Sequence, residues 1–233
     1  MKKIIISAIA VGFMASSAFA GGKFIERVHS NPKPVFSCGG AFAGLQAGLV
    51  SSKAKITDGA RVFELKPSGL AGGIFAGYDI CLNNSFFIGI EGDINGVSAD
   101  DKKDFMLMAD YEGDKYKIKE KWNASLRLRV GTILNGGDTN LYLTGGAAWT
   151  NVELSKTSMI SGMIVPASSG KAKKTLTGWT AGAGAEFKLS GNWSARLQYR
   201  YSKYSKKTFN IGGSPINVNY NSHLVQVGVK YTF

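Results

Sequence analysis

Apolar and polar residues alternate with a period of two through most of the chain, and this pattern limits it to β-strands. In the clearest segment, 122–134, Trp122 and Leu126 fall on one face, whereas Arg127 and Arg129 fall on the other. Successive side chains of a strand point to opposite sides, whereas a helix would scatter both sets around its circumference. The alternating segments are 41–50, 70–82, 86–95, 122–134, 140–152, 176–189, 193–202 and 225–233.

The connections between these eight segments alternate between tight turns and long loops. The connections after the second, fourth and sixth segments are short and rich in Asn and Gly, which favour turns. The long connections are 51–69, 96–121, 153–175 and 203–218. Short turns at one end and long loops at the other are typical of outer-membrane barrels. The sequence therefore predicts an all-β fold, an eight-stranded antiparallel up-and-down transmembrane β-barrel with periplasmic termini and extracellular loops.

The N-terminal residues predict a secretory signal peptide. Two lysines, a short apolar run and the small residues of Ala18-Phe19-Ala20 follow one another in the order that signal peptidase substrates show. The rest of the chain has no apolar stretch long enough for a transmembrane helix. We therefore expect a signal peptide over 1–20, a flexible periplasmic tail over 21–37 and the barrel over 38–233.

The two faces of the predicted strands differ in composition. One face carries the four Trp and many Leu and Val; the other carries Gly and most of the strand charges. An eight-stranded lumen is just wide enough for side chains to fill, so the Gly-rich, charged face is predicted to point inward. The candidate lumen charges are Asp79, Glu91, Asp93, Arg127, Arg129, Glu186, Lys188, Arg196, Arg200 and Lys230.

Unpaired charges in so narrow a space would be costly, which predicts paired networks inside the barrel. The predicted network comprises Glu91, Asp93, Arg127, Arg129, Glu186, Arg196 and Arg200. Such a network would fill and brace the lumen. The alternative is a narrow passive channel for small solutes.

Two groups of residues carry a family resemblance. The C-terminal residues Val229, Tyr231 and Phe233 resemble the assembly signal of outer-membrane proteins, which implies recognition by the barrel-assembly machinery. The segments Trp122-Asn-Ala-Ser-Leu-Arg-Leu-Arg-Val-Gly131, Leu141-Tyr-Leu-Thr-Gly-Gly-Ala-Ala148 and Gly178-Trp-Thr-Ala-Gly-Ala-Gly-Ala-Glu186 are similar to small surface antigens of alphaproteobacteria. That porin-like family of Gram-negative bacteria includes hemin-binding members. The resemblance covers 38–233 and implies an outer-membrane location.

The long loops carry a surplus of positive charge, and the stretches 156–174 and 203–207 within them contain Lys without acids. This field favours anionic partners, such as lipopolysaccharide phosphates, sulfated polysaccharide of a host matrix or the propionates of hemin. The candidate residues are Lys156, Lys171, Lys173, Lys174, Lys203, Lys206 and Lys207. The sequence leaves open whether these lysines mediate adhesion or only match the lipopolysaccharide of their own membrane. Nucleic acid is not an expected partner outside the cell.

Hemin binding is an alternative function, and hemin is the one cofactor that the resemblance brings into consideration; no metal site is expected. Tyr, Met and His side chains can ligate haem iron. The candidates are His223, Tyr111, Tyr116, Met106 and Met108. Packing of these residues between loops is the competing explanation.

No arrangement of residues predicts catalysis. Ser222 and His223 are adjacent and would point to opposite faces of a strand, so they cannot form a nucleophile–base pair. Cys38 and Cys81 would both lie at the periplasmic rim of neighbouring strands, where a disulfide is feasible; two free thiols are the alternative. The chain is therefore expected to be a non-enzymatic surface antigen.

Overall fold

The computed structural model describes residues 39–58, 61–107, 112–160, 163–164, 170–211 and 214–233. Side chains of 102–114 and 158–169 are not described. The predicted signal peptide and tail, 1–37, lie outside the described residues. The strands are β1 Gly40–Asp58, β2 Arg61–Leu65, β3 Ser68–Cys81, β4 Phe86–Leu107, β5 Glu112–Leu134, β6 Thr139–Ile160, β7 Met163–Ile164, β8 Gly170–Ser190, β9 Trp193–Tyr204, β10 Lys207–Ile211 and β11 Ser214–Thr232. Over the described residues, no helix is long and apolar enough to span a membrane.

Eight long strands form one antiparallel sheet that closes on itself. Strands β1, β3, β4, β5, β6, β8, β9 and β11 pair in that order, each with the next. The last strand also pairs with the first, from Phe42 opposite Thr232 to Asp58 opposite Ile216. The short strands β2, β7 and β10 extend the hairpins on β1, β6 and β11. The predicted eight-stranded antiparallel up-and-down transmembrane barrel is confirmed.

The two ends of the barrel differ, and we call them the turn end and the loop end. The turn end holds the tight connections at 82–85, 135–138 and 191–192, together with residues 39 and 233. At one of these turns, Asn83 Oδ1 accepts hydrogen bonds from the backbone N–H groups of Ser85 and Phe86, both at 2.8 Å. The loop end is the opposite rim, where β2, β7 and β10 lie.

The strands are longer than the sequence predicted. The expected long loops 51–69, 96–121, 153–175 and 203–218 are largely strand. Alternation continues through these stretches with its polarity reversed, as at Lys55 and Ile56, where Lys55 is exposed and Ile56 is buried. The prediction was wrong because it sought apolar residues on the outer face only.

The outer surface near the turn end is an apolar belt. Its side chains point away from the lumen and are exposed, as at Leu128 (69% exposed) and Leu143 (62%). The belt ends toward the loop end at Trp122, Trp149 and Trp179 on β5, β6 and β8. Beyond this level the outward residues are mostly polar, and we call that part of the outer surface the collar.

The predicted assembly signal lies on the belt at the turn end. Val229 and Phe233 are exposed outward. The Tyr231 ring packs between Trp193 and Phe233, with centroids 5.0 and 5.1 Å away. An apolar strand end of this kind suits a lipid environment.

Candidate functional site

The lumen near the turn end is filled by a charged layer centred on Glu91. Its carboxylate accepts hydrogen bonds from Arg129 Nη1 at 2.7 Å, from Arg196 Nη1 and Nη2 at 2.9 and 2.7 Å, and from Arg127 Nη2. Glu91 is fully buried, and the three arginines are at most 3% exposed. One carboxylate therefore links β4 to β5 and, across the lumen, to β9.

Two further carboxylates extend this layer. Asp93 accepts from Arg200 Nη1 at 2.6 Å and from the Ser125 hydroxyl. Glu186 accepts from Arg129 Nη2 at 2.7 Å and from Lys230 Nζ at 2.5 Å. The structure thus brings together all seven residues of the predicted network.

Asp79 and Lys230, which the sequence placed on the same face, also belong to the charged layer. Asp79 lies 3.5 Å from Arg129 Nε and 3.6 Å from Lys230 Nζ. Both residues lie at the turn-end side of the layer. Lys188, a further candidate lumen charge, is only half-buried.

Aromatic rings pack over inward-facing glycines in the same layer, an arrangement that sequence reasoning missed. A Cβ on Gly131 would overlap the Phe87 ring, and Phe87 and Gly131 are direct cross-strand partners. The same relation holds for the pairs Phe42 and Gly77, Phe75 and Gly44, and Tyr142 and Gly184. Aromatic cover of strand glycines is a known device for pinning register.

These rings also contact the cations of the network. Arg129 lies 4.3 Å from the Tyr142 centroid and 4.9 Å from that of Phe42, and Arg196 lies 4.1 Å from that of Phe75. Cation–π contacts of this kind are favourable when desolvated. The alternation in the sequence predicts that Phe75 points inward, but it does not predict which cation its ring contacts.

Glu120 forms a middle layer above the charged one. It is 2% exposed and accepts hydrogen bonds from Tyr220 at 2.6 Å, Thr150 at 3.0 Å, Asn123 at 3.1 Å and Ser52 at 3.2 Å. Residue 120 falls in the predicted loop 96–121 because a β-bulge between Glu120 and Trp122 shifts the alternation. A period-two pattern does not reveal such a bulge.

An apolar core fills the lumen toward the loop end. Its members are buried residues from six of the eight long strands and from β2 and β10: Ala54, Ile56, Phe63, Leu65, Tyr116, Ile118, Ala148, Val152, Leu154, Leu176, Tyr204, Phe209, Ile211, Ile216, Val218 and Tyr220. We call this cluster the plug. The plug and the charged layer leave the described lumen occupied along its length, which does not favour the channel alternative.

The hemin candidates do not form one site. Tyr116 points inward, is 1% exposed and donates a hydrogen bond to Asp58 at 2.5 Å. His223 points outward, with its Nδ1 2.8 Å from the Tyr199 hydroxyl. The barrel wall therefore separates the two. Tyr111 and Met108 lie outside the described residues, and Met106 lies in β4 at a position whose side chain is not described.

The predicted anion-binding lysines divide into three groups. Lys171, Lys173, Lys203, Lys206 and Lys207 are exposed on the collar. Lys174 is also exposed, and its Nζ donates to the Thr208 carbonyl at 2.5 Å. Lys156 is largely buried and pairs with Asp58 at 3.0 Å, so the expectation that it faces a partner was wrong.

Strand alternation sorts the charges of 98–121, a segment whose seven acids and six lysines give a net charge of −1. Lys115, Lys117, Lys119 and Lys121 face outward on β5, whereas Glu120 is buried in the lumen. With Lys171 and Lys173 on β8, these lysines flank β6, and we call the six the lysine wall. Two outward carboxylates lie among them: Asp100, 3.1 Å from Lys117, and Glu153, 2.9 Å from Lys121 and 3.6 Å from Lys173. The hydrogen bond from Lys121 holds the pKa of Glu153 below its ordinary value.

Cys81, at the turn-end terminus of β3, is disulfide-bonded. Cys38, the other cysteine of the sequence, lies just outside the described residues. The pairing of the two therefore stays a prediction.

The chain resembles known proteins over its full length. The model of the outer membrane protein beta-barrel domain matches residues 6–233. The 25 kDa outer-membrane immunogenic protein of Brucella canis is 31% identical over 100% of this chain and 99% of its own length. The 31 kDa outer-membrane immunogenic protein of Brucella melitensis is 30% identical over the full length of both chains. The outer membrane protein OprG of Pseudomonas aeruginosa shares the fold, with a TM-score of 0.50, 11% identity, and 83% and 96% of the two chains covered.

Proposed function

Because this chain belongs to the outer membrane protein β-barrel family, we propose that it is a non-enzymatic surface antigen whose basic collar binds anionic polymers outside the cell. The turn end faces the periplasm, and the loop end carries the collar outward. The observation that carries the proposal is the combination of a filled lumen with a lysine-rich outer surface. A barrel built in this way offers its exterior, rather than its interior, for function.

The exposed lysines of β9, β10 and the turn between them suit a soluble polyanion. Lys203, Lys206 and Lys207 lie at the loop end, and Lys53 and Lys55 of β1 are separated from β9 by β11 alone. Among the described residues, the acid that lies beside these lysines is Glu64, which forms an ion pair with Lys53 at 2.8 Å. A sulfated host polysaccharide presents anionic groups to such a surface, which gives adhesion a physical basis.

Heparin binding by the folded full chain in detergent tests this proposal. We expect affinity to fall as salt rises, because exposed charge pairs are screened. The variant K203Q/K206Q/K207Q should bind roughly tenfold more weakly, since exposed pairs contribute about 0.2–1 kcal/mol each. Lys188→Gln, at the opposite end of the barrel, is the control and should bind as the parent does. Binding that is insensitive to salt, or equal in the triple variant, would contradict the proposal.

A further inference from the structure

Toward the loop end, the sheet opens between β8 and β10. The β8–β9 ladder ends at the pair Gly178 and Tyr204, and one further hydrogen bond joins the Ser205 N–H to the Thr177 carbonyl at 2.8 Å. Beyond this point β10 pairs with β11, and the rest of β8 pairs with β6. Over the described residues, no backbone ladder joins β8 to β10. We call the gap between residues 170–176 of β8 and strand β10 the slit.

Both edges of the slit present backbone groups that no ladder uses. In an antiparallel strand, the N–H and C=O groups of one residue point to the same side, and successive residues alternate. Because the Thr177 carbonyl points toward Ser205, the N–H and C=O groups of Lys173 and Thr175 point into the slit. On the opposite edge, the Thr208 carbonyl accepts a hydrogen bond from Lys174 Nζ at 2.5 Å, so it also points into the slit.

Two lysines on the plug side of these edges have no acidic partner. Lys174 shares a strand face with Leu176, a member of the plug, and its Nζ lies 5.8 Å from the centroid of the Phe209 ring. Lys207 shares a strand face with Phe209 in the same way. Both lysines are exposed, and neither forms an ion pair with a carboxylate of the described residues. Each edge of the slit therefore contributes one unpaired ammonium group.

Further lysines surround the slit on the outside. Lys171 and Lys173 of the lysine wall are exposed on β8, and Lys206 is exposed just before β10. Among the described residues, the carboxylate that contacts these lysines is that of Glu153, 3.6 Å from Lys173. A surplus of positive charge on both sides of the slit favours an acidic partner.

A second gap in the collar, between β2 and β4, differs from the slit in charge. No backbone ladder joins these two strands over the described residues. Asp101 Oδ2 reaches across this gap and accepts a hydrogen bond from the Lys66 N–H at 2.6 Å. A carboxylate therefore bridges this gap, whereas the Lys174 ammonium group bridges the slit. Of the two gaps, the slit is the one that suits an acidic segment.

We propose that the slit binds an extended acidic segment of a partner protein, which adds to β8 and β10 as a further strand. The backbone of the segment pairs with the groups of Lys173, Thr175 and Thr208. One of its carboxylates takes the place of the Thr208 carbonyl beside Lys174 and also contacts Lys207. Apolar side chains that alternate with the acidic ones cover the plug.

The occupant is a polypeptide because the slit has two strand edges. Addition of an extended peptide to a free edge gives affinity through main-chain hydrogen bonds. A polysaccharide supplies charge but no matching row of N–H and C=O groups. The site is therefore distinct from the binding of sulfated polysaccharide, which needs the lysines and not the strand edges.

The probe is a capped, fluorescently labelled peptide of alternating glutamate and valine, (Glu-Val)4. Its matched control carries a methyl group on every second amide nitrogen, which keeps the charge and removes the N–H donors along one side. Binding to the full chain, folded in detergent, is followed by fluorescence anisotropy. Heat-modifiable gel mobility shows that each variant of the chain is folded.

We expect the parent to bind (Glu-Val)4 saturably. The methylated peptide should bind at least about tenfold more weakly, because several main-chain hydrogen bonds are lost. No saturable binding by the parent would overturn the proposal. Equal binding of the two peptides would show attraction by charge alone and would overturn strand addition.

Variants of the chain test the strand edge and the lysines separately. Thr175→Pro removes an N–H that points into the slit, keeps every lysine and spares the β6 ladder, so peptide binding should weaken about tenfold. K174Q/K207Q should bind about fivefold more weakly, since two charge pairs are lost. K117Q/K119Q loses the same charge on β5 and should bind as the parent does. Unchanged binding in Thr175→Pro, or equal losses in the two lysine variants, would overturn the site.

Heparin separates the slit from the proposed function. Thr175→Pro should bind heparin as the parent does, because it keeps every lysine. A parallel loss of heparin and peptide in this variant would assign the peptide to general charge attraction and overturn the strand site. Peptide binding by a parent that does not bind heparin would support the slit and remove the polysaccharide partner.

Discussion

Replacing Glu91 with glutamine tests whether the charged layer braces the barrel. Glu91 is fully buried and accepts hydrogen bonds from Arg127, Arg129 and Arg196. The substitution removes one negative charge from among three buried guanidinium groups. Removing one partner of a buried ion pair costs about 3–5 kcal/mol, and the free energy of unfolding should fall by that amount.

The remaining contacts show which arginine is most affected. Arg129 keeps Glu186 at 2.7 Å, and Arg127 keeps Asp93 at 3.7 Å. Among the described residues, Arg196 has no carboxylate other than Glu91 within 4 Å. The double variant Glu91→Gln/Arg196→Gln should therefore be more stable than the sum of the single losses indicates, with a coupling of about 0.5–3 kcal/mol.

Urea unfolding in lipid vesicles, followed by tryptophan fluorescence, measures these changes. Glu64→Gln is the matched control, because it removes the same group from the exposed pair with Lys53, and its midpoint should equal that of the parent. A Glu91→Gln midpoint equal to that of the parent would refute the bracing role. Strict additivity in the double variant would refute the coupling.

Four further predictions follow from the same structure. Leu128→Arg places a charge in the middle of the apolar belt and should lower the free energy of unfolding in bilayers by about 2–4 kcal/mol, whereas the same change on the collar should not. Gly131→Ala should cost about 1–3 kcal/mol, because the new Cβ overlaps the ring of its cross-strand partner; Gly145→Ala, on the open outer face, is its control and should be neutral. Planar-bilayer recording should show no steady ohmic steps, and such steps would contradict a filled lumen. In hemin titrations followed at the Soret band, we expect no saturable shift that depends on both His223 and Tyr116, because the barrel wall separates them. A saturable shift that is abolished by His223→Ala and also by Tyr116→Phe would contradict this placement.

The strand number and the face assignment could be predicted because the belt repeats one rule on every strand. Lipid requires an apolar outer face, and a narrow lumen requires small or paired inner residues. Arg127 and Arg129 therefore appear in the sequence between belt residues such as Leu126 and Leu128. Spacing of this kind predicts a strand and its inner face even when the neighbouring strands are not known.

The strand lengths and the middle of the lumen could not be predicted in the same way. Beyond the level of the tryptophans, the outward residues are polar and the inward residues are apolar. A search for strands with an apolar outer face therefore predicts loops there. At Glu120 the difficulty is greater, because a β-bulge shifts the alternation just where the residue enters the lumen. Its partners Ser52 and Tyr220 are far from it in the sequence, and only the closed sheet brings them together.

The reversal of polarity along strands such as β1, β5 and β6 limits the depth of the barrel in its membrane. On β1, the outward residues change from Leu49 to Lys53, while the inward residues change from Gln46 to Ile56. Sinking the barrel by two residues, about 7 Å along a strand, would bring the first collar charges, Lys121 and Glu153, toward the hydrocarbon. Each such charge costs up to a few kcal/mol, depending on its depth. Because the eight strands are hydrogen-bonded into one sheet, these costs act on the barrel as a unit and oppose such a displacement.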